Sequence, residues 1–241
     1  MSPVPGPSRG DDEAIARFAA RAAHDLNNLL TIIHGYGDLL VEDLEQQPDL
    51  RQAAQELLVA AQRVSDFSAR MQALGREYRP SPEALRLGDF LAAQQPALAV
   101  RLEAGTLLEC RVDGDELAAF ASSEDLHQIL SELVVNAAEA MPEGGRVTII
   151  GHPCDAVTLP PELKPGRYCV LRVEDNGHGF APDLLAVARQ PFVTTKPRQQ
   201  GAGLGLAIVD RAVRLLGGAM TLESGPGGGS VVEVYLPRLG A

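Results

Sequence analysis

Two amphipathic stripes in succession constrain this chain more than any other feature. Over residues 12–45, apolar side chains fall at Ile15, Phe18, Ala22, Leu26, Leu29, Ile33, Leu40 and Leu44. Steps of three and four residues put them on one face of a helix, with Gly37 the weak position. Gln46-Gln47-Pro48-Asp49 is a turn signal. A second stripe follows at Leu50, Ala54, Leu57, Ala61, Val64, Phe67, Met71, Leu74 and Tyr78, with heptad-like spacing. Two long helices joined by a short connection form an antiparallel hairpin. One hairpin covers its own stripe poorly, whereas two packed as a four-helix bundle cover it well, so a homodimer is expected.

Tyr78-Arg79-Pro80-Ser81-Pro82 breaks the pattern and reads as a hinge. Beyond it, β-rich segments (Thr106–Val112, Arg146–His152, Tyr168–Glu174, Ala219–Ser224, Ser230–Leu236) alternate with helical ones (Ser122–Met141, Gly203–Leu216). That order predicts an α/β sandwich, a sheet with helices on one face. The expected organisation is a flexible lead at 1–11, a helical hairpin at 12–78, a linker at 79–84 and an α/β domain at 85–241.

Composition narrows the function classes. Of 241 residues, 45% are hydrophobic and 22% charged, which favours a buried core over bulk disorder. A net charge of -11 argues against non-specific nucleic-acid binding. Any small polyanion must be held by a local site against that field. Cys110, Cys154 and Cys169 are odd in number, widely spaced and without a CxxC pair. They point to a reducing compartment rather than to structural zinc or disulfides. No apolar run approaches the ~18 residues a membrane helix needs. The opening MSPVPGPSRGDDE lacks a hydrophobic signal core. A cytoplasmic chain with no direct membrane insertion is expected.

Four segments of the second domain carry chemistry. In Glu132-Leu133-Val134-Val135-Asn136-Ala137-Ala138-Glu139-Ala140, Leu133 and Ala137 face the core and Glu132, Asn136 and Glu139 share a polar face. A carboxamide oxygen there suits magnesium, although a solvated helix face has the same spacing. Asp175-Asn176-Gly177-His178-Gly179 follows an apolar strand. A carboxylate at a strand end can accept from a ligand amino group while glycines bring the backbone close, although an Asn-Gly turn has the same sequence. Pro191-Phe192-Val193-Thr194-Thr195-Lys196 reads as a loop whose lysine can meet a terminal phosphate or simply face solvent. Gly201-Ala202-Gly203-Leu204-Gly205-Leu206-Ala207 runs into an amphipathic helix whose N-terminal amides suit an anion. No Gly-Lys-Ser/Thr follows, so it is not a P-loop.

In this order and spacing the four segments resemble the N, G1, F and G2 boxes of the GHKL ATPase superfamily, in the form found in histidine kinases. The resemblance covers about residues 85–241. It implies a Bergerat-type α/β sandwich that binds ATP and Mg²⁺. The expected magnesium ligand is Asn136, and the expected adenine contact is Asp175, with Gly177 and Gly179 beside it. Phe192, Thr195 and Lys196 belong to the F box. Gly201, Gly203, Leu204 and Gly205 form the phosphate loop, and residues 182–203 form an ATP lid.

The hairpin selects among superfamily members. His24 lies off the apolar stripe of Ala23-His24-Asp25-Leu26-Asn27-Asn28-Leu29-Leu30, and Asn28 stands one turn further on the same face. An exposed imidazole can attack a phosphoryl group through one nitrogen while Asp25 takes the proton from, or orients, the other. The segment resembles the H-box of histidine kinases. That implies a phosphoacceptor at His24, an assisting acid at Asp25, and an Asn28 that positions water for dephosphorylating a response-regulator receiver domain. Expected activity is ATP-dependent autophosphorylation of His24 and transfer to an aspartate of that partner, with the hinge bending to bring the γ-phosphate near. Departures are Ala137-Ala138-Glu139, where common members carry a basic or polar residue, and Ala202 in place of a frequent threonine. No sensor segment fits into residues 1–11, so either a separate sensor protein supplies the signal or the chain is a truncated core. Two alternatives stay open. One is a phosphorelay hub with a degenerate ATP domain, against which every nucleotide box is filled. The other is a serine kinase of the anti-sigma type, which would not need the His24 hairpin.

Overall fold

A computed structural model describes residues 9–75, 82–102, 104–114, 116–155, 159–194, 203–225 and 227–238, with side chains from Arg21 onwards, Gly75 and Asp155 apart. Residues 1–8, most of the Tyr78–Pro82 hinge, Thr195, Lys196 and Gly201 lie outside the described residues. The chain divides between Glu77 and Tyr78 into two compact units.

The first unit is two helices, α1 (Arg9–Asp43) and α2 (Pro48–Gly75). Pro48 opens α2, where its missing N–H would have had no partner. The seam between the helices is made of residues seven apart, all but one of them small. Ala23, Leu30 and Gly37 on α1 are buried, as are Ala54, Ala61 and Ser68 on α2. Gly37 makes room there for Leu58, whose side chain a Cβ would displace. The expected stripe is only half covered. Leu29 is 59% exposed and Leu57 51%, and Ile33, Leu40, Leu50 and Val64 are also exposed. The heptad pattern merged two faces, a narrow one that closes the hairpin and a broader one left open.

The second unit starts with β1 (Glu83–Arg86) and α3 (Leu87–Ala99). Then come β2 (Leu107–Val112), β3 (Ala118–Ala121), α4 (Ser123–Ala140), β4 (Arg146–Asp155) and β5 (Arg167–Asp175). A single-turn α5 (Pro182–Leu185), α6 (Gly205–Leu215), β6 (Ala219–Ser224) and β7 (Ser230–Pro237) complete it. The main sheet has the order β2-β4-β5-β7-β6, with β2 and β4 parallel and the other pairs antiparallel. β1 and β3 form a separate antiparallel pair.

Period-two alternation sorts the sheet's side chains. Val147, Ile149, Cys169, Leu171, Val173, Val232 and Val234 point to one face. There they meet Leu91 and Leu98 of α3, Ile129, Leu130 and Val134 of α4, and Val209 and Val213 of α6. Each such side chain contributes about 1.5–3 kcal/mol on full burial. The other face holds a small cluster of Tyr168, Val170 and Tyr235. Beside it, Arg172 is paired with Glu174 and Glu233. The helices therefore cover one face, as the α/β sandwich requires, and the strand ends carrying Asp175 and Ser230 lie in register at the sheet's centre.

Candidate active site

On α4, the residues expected in the core, Leu133 and Ala137, are buried, and Glu132, Asn136 and Glu139 are half-buried on the other side. Asn136 Nδ2 is itself buried, with no hydrogen-bond partner among the described residues. An orphaned amide costs about 1–3 kcal/mol unless a ligand or water satisfies it. Against this amide sits the start of α6. A Cβ on Gly205 would lie 3.0 Å from both Asn136 amide atoms and 3.1 Å from Glu132 Oε2. Glycine lets the phosphate-loop candidate approach α4 closely, where a Cβ would make the Asn136 and Glu132 side chains give way. No acidic residue stands in the first turn of α6 and no side chain caps it, which leaves its N-terminal amides for an anion.

Gly203 and Phe192 close the base of the neighbouring loop. The Phe192 N–H donates to the Gly203 carbonyl at 2.9 Å. Both are left-handed, at φ +63° for Gly203 and +66° for Phe192, the sole non-glycine with positive φ among the described residues. That conformation costs a residue with a Cβ about 1–2 kcal/mol. Such strain at a loop base is a common mark of functional sites.

Asp175 ends β5. Its Oδ1 accepts the Gly177 N–H at 2.9 Å. Burial pushes its carboxyl above the usual range, while the Gly177 N–H, the Ser230 N–H and hydroxyl, and His178 pull it back. Gly177 must be glycine because a Cβ would fall 2.7 Å from the Ala140 Cβ and carbonyl oxygen at the end of α4. The His178 N–H donates to that same carbonyl at 3.2 Å. Asn136 stands one helical turn before Ala140, so α4 joins the two halves of the candidate site. Asn176 turns away, accepting the Arg146 N–H at 2.7 Å through Oδ1.

Sequence reasoning missed Ser230 and Ser224. Ser230 lies opposite Asp175 in the β5–β7 register, and its hydroxyl reaches the carboxylate. A serine opening a strand after the Gly227-Gly228-Gly229 run was the available signal.

In the hairpin, His24, Asp25 and Asn28 are all exposed. The cause lies one residue back. Ala23 is fully buried in the seam, and the buried Ser68 donates its hydroxyl to the Ala23 carbonyl at 2.9 Å. Pinning Ala23 inward turns His24 outward. By contrast, His34 is half-buried, with its Nε2 3.5 Å from Ser65 Oγ.

The α/β domain belongs to a recognised class of ATPase. Residues 121–240 match the family described as "Histidine kinase-, DNA gyrase B-, and HSP90-like ATPase". Residues 14–77 match "His Kinase A (phospho-acceptor) domain". The chain belongs to the histidine kinase family. It is 35% identical over 237 residues to sensor kinase CckA of Brucella abortus, a match covering 94% of this chain and 24% of the relative. It is 30% identical over 254 residues to histidine protein kinase DivJ of Caulobacter vibrioides, covering 96% of this chain and 39% of the relative. The chain therefore spans well under half of these relatives. Full-length ShkA, solved in complex with AMPPNP, shares the fold with a TM-score of 0.72 at 24% identity, over 92% of this chain and 46% of that one. Among the described residues no helix is long and apolar enough to cross a membrane.

Proposed function

We propose that this chain is the catalytic core of a two-component histidine kinase. It binds ATP in the α/β domain, phosphorylates its own His24, and passes the phosphoryl group to an aspartate on the receiver domain of a response regulator. The observation that carries this reading is one chain holding both parts. His24, Asp25 and Asn28 stand exposed on α1, and the buried Asn136 amide faces the uncapped start of α6.

The chemistry follows from these groups. Asp175 accepts a hydrogen bond from the adenine amino group, and Gly203, Leu204 and Gly205 present backbone amides to the phosphates. Gly177 and Gly179 let the G1 loop close on the ring. The His24 nitrogen lone pair attacks the γ-phosphorus, an N–P bond forms, and the bond to the β–γ bridging oxygen breaks, with ADP leaving as the anion. Asp25 accepts the ring proton and leaves a neutral phosphoimidazole. In the second step the N–P bond breaks as the partner's aspartate forms an O–P bond. Asn28 positions water for a separate dephosphorylating function, in which the water oxygen bonds phosphorus, the aspartate O–P bond breaks and inorganic phosphate leaves.

The donor set at Asn136 fits Mg²⁺. Its amide oxygen is a hard donor, and Glu132 lies beside it. Asn136, with Glu132 beside it, would hold a magnesium ion here. When bound, it neutralises phosphate charge. Thr195 and Lys196 of the F box and Gly201 complete the reading as phosphate-side groups, and the fold acts in the cytoplasm. Incubation with γ-labelled ATP tests it: wild type takes up label, and Asn136→Ala loses it.

The open face of the hairpin supports the dimer. Leu29, Ile33 and Leu40 on α1 and Leu50, Leu57 and Val64 on α2 remain exposed in one chain. Burying each is worth about 1.5–3 kcal/mol. A double substitution, Ile33→Asp with Leu57→Asp, is expected to weaken dimerisation by at least about a hundredfold. Sedimentation velocity across a dilution series reads this directly, and a wild type that sediments as a monomer at all concentrations contradicts it.

A further inference from the structure

One wall of the candidate nucleotide site is a knot of three backbone segments tied by one hydroxyl. Ser224, the last residue of β6, accepts the Phe180 N–H at 2.8 Å and donates to the Gly229 carbonyl at 2.7 Å. Its Oγ also lies 3.3 Å from Ser230 Oγ. Proton accounting fixes the roles. Ser224 has one hydroxyl proton, spent on Gly229, and the Ser230 hydroxyl is directed to the Asp175 carboxylate. The two serines therefore touch without sharing a proton, and each holds a different part of the wall.

The rest of the knot depends on this crossing. Gly179, left-handed at φ +67°, leaves no room for a Cβ. One would lie 2.8 Å from Ser224 Oγ and from the Gly229 carbonyl oxygen, and closer still to the Gly225 carbonyl. Gly227 N–H donates to the His178 carbonyl at 2.8 Å. A Cβ on Gly229 would collide with the Asp175 backbone. The Gly177–Phe180 loop and the Gly225–Ser230 turn thus interlock, and Ser224 supplies the side-chain bond to both.

We infer that Ser224 is a positioning residue for nucleobase recognition. It bonds Phe180 and Gly229 directly, and it acts on the base through the Gly229 carbonyl, which precedes Ser230, whose hydroxyl reaches Asp175. The inference rests on the ATP reading of the site. Without the hydroxyl, the Phe180 amide and the Gly229 carbonyl lose their shared partner, and the Ser230–Asp175 pair loses its fixed distance to the G1 loop. The phosphate cradle at the start of α6 is built from other segments and is unaffected.

Equilibrium binding of ATP, GTP and inorganic tripolyphosphate to the whole chain tests this, with thermal midpoints recorded alongside. Ser224→Ala is expected to bind ATP about tenfold more weakly, to bind tripolyphosphate as wild type does, and to lose most of the preference for ATP over GTP. Ser224→Thr keeps a hydroxyl and restores that preference. Equal weakening toward ATP and tripolyphosphate overturns the inference, as does an unchanged preference in a folded alanine variant, since a merely structural role shifts melting and not selectivity. Should the alanine variant not fold, Ser224→Cys, close in volume but a weak donor, carries the same comparison. A wild type that binds no ATP overturns the parent reading and this one together. A wild type that prefers ATP, with variants that prefer it equally, overturns the role of Ser224 alone.

Discussion

Asp175→Asn weakens ATP binding by about 10- to 100-fold and at the same time raises the melting temperature of the nucleotide-free chain. The first effect is the loss of a hydrogen bond to a charged acceptor, worth about 1.5–3 kcal/mol. The second follows from the proton linkage. Burial, against the Gly177 N–H and Ser230, leaves the Asp175 carboxyl above its ordinary pKa. The folded chain then holds that proton more tightly than the unfolded chain. Stability attributable to Asp175 accordingly falls as pH rises through the range just above the ordinary carboxylate value, and it stays lower at neutral pH. A neutral amide removes that cost. Calorimetry of wild type and variant at neutral and mildly acidic pH measures both effects. The variant's advantage shrinks as the pH falls and wild-type Asp175 takes up its proton. A variant that melts lower than wild type at neutral pH contradicts this electrostatic account of the site.

The second large effect is at His24. His24→Ala eliminates stable phosphorylation and leaves the ATP dissociation constant within about twofold, because the histidine lies in the hairpin unit and the nucleotide groups lie in the other. The separation matters for interpretation. Asn136→Ala and Asp175→Asn lose label because nucleotide handling fails, whereas His24→Ala loses label with nucleotide still bound. Isothermal titration run beside the labelling assay keeps the two causes apart. Loss of nucleotide binding in His24→Ala is the result that tells against this division of labour.

Much of the fold was legible because its periodicities are strong. The five strands of the main sheet and the helices bearing Asn136 and Gly205 lie close to the β-rich and helical segments read along the sequence. What escaped was local structure whose signal is weak. α3 holds Pro96 in its interior, which argues against a helix from propensity alone. Leu87, Phe90, Leu91 and Leu98 nevertheless bury one face of it, so packing outweighs propensity. β1 and β3 are four residues each, β3 with three alanines, too short for alternation to register.

The site divides in the same way. The candidates Asn136, Asp175, Gly177, Gly179, Gly203 and Gly205 come from the ordered motifs, and close approaches account for glycine at Gly177, Gly179 and Gly203. Ser224 and Ser230 were not readable, since their relation to Asp175 exists only through the register of β5, β7 and β6. The apolar stripe of the hairpin misled in one respect. Leu29 belongs to the expected stripe, yet it stands open at 59% exposure while its neighbour Leu30 is buried at 5%. Adjacent positions on a helix differ by about 100° in direction, so a stripe drawn from spacing alone spans two surfaces.

The central claim is that the γ-phosphoryl group of ATP ends on a nitrogen of His24. Its most direct test is the chemical stability of the label. A phosphoimidazole is acid-labile and survives alkali, whereas a serine phosphoester is stable to acid. Wild-type chain incubated with γ-labelled ATP is expected to carry acid-labile, alkali-stable label that is absent from His24→Ala. Acid-stable label that persists in His24→Ala would contradict the account and place the phosphoacceptor elsewhere.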